Sequence, residues 1–189
     1  MTELFRNSTE ALVFAFRFSH QQYALSPMAK MAKTGIVGAG KGLVALDGAG
    51  QAGMIRREVD ALPVLKRLCI VARYSVKFEE CGCCGGDKMI AEYREAITNL
   101  ADWSLQHLTG MSLLKMRQYY VRAFYERLSI KEMADQLRVE KSLAYRQKDA
   151  IWTALKKLDA EAQREICDRL DHMLGFGSDE SPQGAMKFA

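Results

Sequence analysis

Apolar residues recur along this chain at intervals of three and four rather than two, a pattern that predicts helices and few strands. From Thr9 to Tyr23, Leu12, Ala15, Phe16 and Ser19 share one side, and Val13, Phe14 and Phe18 widen the apolar surface almost all round. A helix of that kind is expected in a core or an interface. Gln51 to Ala61 sets Met54, Ile55 and Val59 on one face, and Pro63 suits the first turn of a following helix. That helix, Val64 to Tyr74, aligns Leu65, Leu68, Cys69 and Ala72. Asp87 to His107 reads as one long helix through Ile90, Tyr93, Ile97, Leu100, Ala101 and Trp103, with Leu108 beyond it and Gly110 as the stop.

The most informative pattern lies between Leu128 and Leu158. Ser129 has the chemistry of an N-cap, and Glu132 three residues on completes a capping-box spacing. Ile130, Met133, Ala134 and Leu137 then make one apolar face of a short helix. Arg138-Val139 leaves room only for a sharp turn. A second helix restarts at Glu140, with Leu143, Ala144, Ile151, Trp152, Leu155 and Leu158 inward. Its outer face carries Lys141, Ser142, Tyr145, Arg146, Lys148 and Asp149. The preceding segment, Ser112 to Arg127, supplies a third helix, and three helices can close a small core where two cannot. Ala134, small and central in the first helix, lets the second cross it closely. Such a helix-turn-helix presents the start of its second helix to the major groove, which is wide enough to admit it.

The run from Met116 through Leu158 resembles region 4 of bacterial sigma factors and related response-regulator-type helix-turn-helix modules. The matching residues are Tyr119-Tyr120 in the scaffold helix, Ser129 to Ala134 in the first helix, Leu137-x-Val139 at the turn, and Ala150 to Leu158 at the end. Arg138 stands where glycine is usual, Glu140 replaces the usual serine cap, and Gln147 occupies a normally apolar inner position. With Cys83, Cys84, Asp87, Met89 and Ile90 ahead of a long helix, the chain is also similar to small phage late-gene regulators of the antitermination Q type. That resemblance implies a non-catalytic protein of the bacterial host cytoplasm that binds double-stranded DNA near a promoter. RNA polymerase is the implied protein partner, and either transcription regulation or antitermination the outcome. Arg146 and Lys141 then become candidate donors to guanine, and Ser142 and Tyr145 contacts to bases or phosphates. Lys131, Arg138, Lys148, Lys156 and Lys157 become candidate phosphate contacts.

Charge agrees with this reading. Ser112 to Lys157 holds eleven Lys and Arg against five Asp and Glu, and the remainder sixteen against eighteen. A positive excess gathered on one segment is what phosphate neutralisation requires. The 189 residues, 49% of them hydrophobic, suit an all-α, multi-helix protein with this module near its C-terminus. The divisions expected are an N-terminal helical region with a glycine-rich connector (1–80), a Cys/Gly-rich connector (81–86), the helix-turn-helix region (87–174) and a disordered tail (175–189). Ala160 to Leu174 reads as a separate amphipathic helix through Ile166, Leu170 and Leu174, available either for a homodimer contact or for the chain's own core. No run approaches the roughly 20 apolar residues that span a bilayer and no signal peptide is evident, so no membrane partner is expected.

Two other motifs carry candidate chemistry. Gly35 to Lys41 fits G-x-x-x-x-G-K, yet Gly42 stands where Ser or Thr must hold magnesium, and the preceding MAKMAK is no strand. Gly35 to Gly53 is therefore expected to be a connector. Cys81, Cys83 and Cys84 sit among Gly82, Gly85 and Gly86. They are candidate zinc ligands if Cys69, His107, Cys167 or His172 supplies a fourth. Against that, the run is C-x-C-C with no second pair, and the alternative is a connector with reduced thiols.

Overall fold

The computed structural model describes residues 5–24, 45–109 and 112–175. Among them are seven α-helices, a single 3-10 turn and one two-stranded sheet. The helices are α1 (Ser8–Ala24), α2 (Ala45–Asp60), α3 (Val64–Tyr74), α4 (Ala91–Ser104), α5 (Leu114–Glu126), α6 (Ile130–Gln136) and α7 (Lys141–Leu174). The strands β1 (Phe78–Glu80) and β2 (Asp87–Met89) pair antiparallel between α3 and α4. The protein is thus all-α in class, with a minor hairpin. No helix among the described residues is long and apolar enough to cross a membrane. The segment Met28–Lys33, the Gly35–Lys41 motif and the tail beyond Gly175 lie outside the described residues.

Helices α1, α2, α3, α5 and α6 all pack against α7, while α4 lies on α3 and α5. At 34 residues α7 is about 50 Å long, and its inward stripe runs from Ala144 through Ile151, Leu155, Ala162 and Ile166 to Leu170, all fully buried. Each large aliphatic side chain in that stripe contributes about 1.5–3 kcal/mol relative to its exposed state. The first half of α7 lies against α5 and α6. Trp152 there donates its indole N–H to the Tyr120 carbonyl at 3.0 Å. The second half lies against α1, α2 and α3. Arg73 grips Asp159 with two hydrogen bonds, of 3.2 and 2.6 Å. Lys66 pairs with Glu165 at 2.9 Å, and Ser8 donates to Asp171.

The separate helix expected from Ala160 does not exist, because α7 continues without a break. Nothing between Leu158 and Ala160 can stop a helix: there is neither glycine nor proline, and Asp159 faces inward to meet Arg73. The apolar stripe of Ala160 to Leu174 is buried in the chain's own core, on Ala162, Ile166 and Leu170.

Two further expectations are corrected. The glycine-rich connector ends earlier than Gly53, since α2 begins at Ala45 and includes Gly48, Gly50 and Gly53. Gly48 sits where α2 crosses α1, and a Cβ there would lie 3.1 Å from the Phe18 ring. Packing against α1 outweighs the poor helix propensity of glycine. The helix expected from Asp87 starts only at Ala91, because residues 87–89 pair with residues 78–80. Such a short hairpin is marginal alone. Here it is held by Phe78 edge-on to Tyr93 at 6.4 Å and by Lys77, which donates to the Tyr125 carbonyl at 2.9 Å.

Candidate nucleic-acid interface

The short helix α6 begins where the hydroxyl of Ser129 accepts the Glu132 amide. It ends in a Schellman arrangement: the Val139 amide donates to the Ala134 carbonyl at 2.9 Å and the Arg138 amide to the Asp135 carbonyl at 3.4 Å. Between them Arg138 takes a φ of 53°, in the left-handed region. The usual glycine has a steric reason here, and an arginine fills the position at a conformational cost. Residues 137–140 then complete the turn into α7.

Ile130, Met133 and Ala134 are buried beneath this unit, as the periodicity predicts. Leu137 is not. It is 43% exposed, because α6 ends at Gln136 and the chain has already turned away from the core. Leu143 is only half-buried. Gln147, the polar residue at an inner position, is buried and satisfied: its side-chain oxygen accepts from Ser112 at 3.3 Å and from the Tyr120 hydroxyl at 3.5 Å. A buried amide held in this way costs little and fixes the rotation of α7 about its axis. Glu140 precedes α7 without capping it through its side chain, and receives instead a hydrogen bond from the Ser142 hydroxyl.

Lys141, Ser142, Tyr145 and Arg146 are exposed on the first turns of α7, with Asp149 beside them. Lys131 and Arg138 are exposed next to them on α6 and the turn, and Lys156 and Lys157 farther along α7. Among the described residues Lys131, Arg138, Arg146, Lys156 and Lys157 have no ion-pair partner. Lys141 reaches Asp135 at 3.0 Å and so bridges the two helices. Lys148 departs from the expected outward placement. It is half-buried, with its ammonium 4.8 Å from the centre of the Trp152 ring and 2.6 Å from Asp149. Trp152 itself sits edge-on to Phe124, which draws Lys148 against the scaffold.

The structure also redistributes the charge counted along the sequence. Arg117, one of the eleven cations of Ser112 to Lys157, is buried. Its Nε donates to the Ala101 carbonyl at 2.9 Å and a second nitrogen reaches Asp102 at 3.3 Å. Arg122 is held by Glu126 one turn away, at 2.9 Å. Both staple the scaffold and neither faces the α6–α7 surface. Arg94 and Lys115, which sequence reasoning did not single out, line with Arg122 a cavity of about 380 Å³ between α4 and α5. Their only sequence signal is charge, which does not separate them from other surface cations.

The cysteines occupy the tip of the hairpin. The Cys81 amide donates to the Gly86 carbonyl at 2.8 Å and the Gly85 amide to the Cys81 carbonyl at 2.9 Å, with Gly85 at a φ of 68°. This tight turn brings the sulfurs of Cys81, Cys83 and Cys84 within 4.8 Å of one another. None of the four proposed fourth ligands joins them. Cys69 is buried under Tyr125, its thiol pushed up to about 12 by burial, and burial also raises the Cys167 thiol. His107 packs edge-on against Trp103, at 4.6 Å between ring centres, and His172 lies near the end of α7. At the hairpin the Cys81 thiol is lowered to about 7, chiefly by its hydrogen bond with the Cys83 thiol. A further signal was present in the sequence: Cys81 and Cys84 have C-x-x-C spacing followed by Gly85, hidden by the intervening Cys83.

Comparison with protein-family models, with curated proteins and with solved structures gives no match to this chain.

Proposed function

We propose that the protein binds double-stranded DNA sequence-specifically through α6 and the first turns of α7, and regulates transcription without catalysis. The observation that carries this reading is the division of α7 at its start. Ala144, Gln147 and Ile151 are locked inward, while Lys141, Ser142, Tyr145 and Arg146 project together into water. One helix presented end-first beside a tight turn matches the shape that a major groove admits. The unpaired cations on both sides are placed to neutralise phosphates. Arg146 is the principal candidate for base recognition, since it has no intramolecular partner among the described residues and its fork suits guanine.

Selection of bound fragments from random duplex DNA should return a preferred site. Against that site Arg146→Ala should cost about 1–3 kcal/mol and relax the preference at one position. The protein's folding stability should move by less than about 0.5 kcal/mol. Equal affinity and equal selectivity in the variant would remove Arg146 from the interface. Failure to enrich any duplex would remove the function.

A further inference from the structure

We propose that Cys81, Cys83 and Cys84 hold one thiophilic cation of the Zn²⁺ class, bound by three thiolates of a single chain with its fourth position open to water. The spacing of the sulfurs carries this. Tetrahedral zinc with Zn–S bonds of about 2.3 Å needs ligand sulfurs about 3.8 Å apart. The three sulfurs all lie within 4.8 Å of one another, and Cys81 and Cys83 are 2.9 Å apart. Side-chain rotation within the loop therefore reaches the required triangle without moving the strands.

The surroundings point the same way. Free cysteine is among the most buried residue types, yet Cys83 and Cys84 are exposed and Cys81 is only partly covered. Packing gives them no use, and none is in a disulfide. Soft sulfur ligands select zinc-class ions over magnesium or calcium, which take oxygen. Among the described residues no histidine, cysteine or carboxylate joins the three sulfurs, and the fourth position is assigned to water as part of the proposal.

The test uses the full-length reduced protein, titrated with Zn²⁺ against a chromogenic chelator and with Co²⁺ as a spectroscopic stand-in. One ion per chain is expected, with sulfur-to-cobalt charge-transfer absorption. Cys84→Ser should weaken binding about 100-fold or more, as expected for loss of a direct ligand. Cys167→Ser, on α7 and away from the hairpin, should leave it unchanged. Far-ultraviolet circular dichroism establishes that each variant is folded. Any of three results would overturn the site: no stoichiometric ion, retention of the ion by the triple Cys81/Cys83/Cys84→Ser variant, or one ion shared by two chains.

Discussion

The two halves of α7 are one continuous helix put to opposite uses. From Asp159 to Leu174 several charged residues are spent on the chain itself: Asp159 on Arg73, Glu165 on Lys66 and Arg169, Asp171 on Ser8, while Glu161, Arg164 and Asp168 have no ion-pair partner among the described residues. From Lys141 to Lys157 the inward stripe is largely apolar, but Arg146, Lys156 and Lys157 are left in water without an ion-pair partner among the described residues. The lesson is that burial and charge answer different questions. Apolar periodicity says that a helix is seated. Only the pairing of its charges says whether the other face is already occupied.

The largest effect expected from breaking this comparison is in the seated half. Ile166→Ala removes a fully buried side chain from the junction of α7 with the N-terminal helices. It should lower the free energy of unfolding by about 2–5 kcal/mol. Denaturant titration measures this, and DNA affinity per folded molecule should stay unchanged under native conditions. A loss below 0.5 kcal/mol would mean that the second half of α7 is not packed as described.

Asp159→Ala probes the same half through charge. Asp159 is buried, whereas Arg73 keeps 40% of its side chain exposed, so the abandoned guanidinium can hydrate. The expected loss is about 1–2 kcal/mol, the lower part of the range for charged hydrogen bonds. Arg73→Ala strands the carboxylate instead and should cost more. Equal losses would show that the pair is solvated on both sides.

The smallest expected effect sharpens the contrast most, because its two readouts move in opposite directions. Arg138→Gly relieves a left-handed residue in the turn and should stabilise the fold by up to about 1 kcal/mol. It also deletes an unpaired cation beside the proposed groove surface. The dependence of log affinity on log salt should therefore become shallower by about 1. Higher stability with an unaltered salt slope would place Arg138 outside the interface.

Much of the fold was legible one-dimensionally. The all-α class, the Ser129 cap, the turn after Leu137 and the inward set Ile130, Met133, Ala134, Ile151 and Leu155 follow from helical spacing and cap chemistry, which are local properties. The candidate surface of Lys141, Ser142, Tyr145 and Arg146 follows from the same spacing. Local rules failed where a distant partner intervened. Ala160 resembled the start of a separate helix until Asp159 before it met Arg73, and Gly48 resembled a linker until Phe18 lay across it. Asp87 resembled a helix start until Glu80 paired with it.

By itself, then, the amino-acid sequence determined the helical class, the apolar stripe of most helices and where the α6–α7 turn must fall. Those depend on contacts within a few residues. Only the tertiary structure decided which cations remain free, that α7 runs unbroken from the exposed surface into the core, and that three cysteines meet at one point. These depend on which remote side chain reaches a charge, a backbone or a sulfur first, and a linear pattern carries no distances between remote residues.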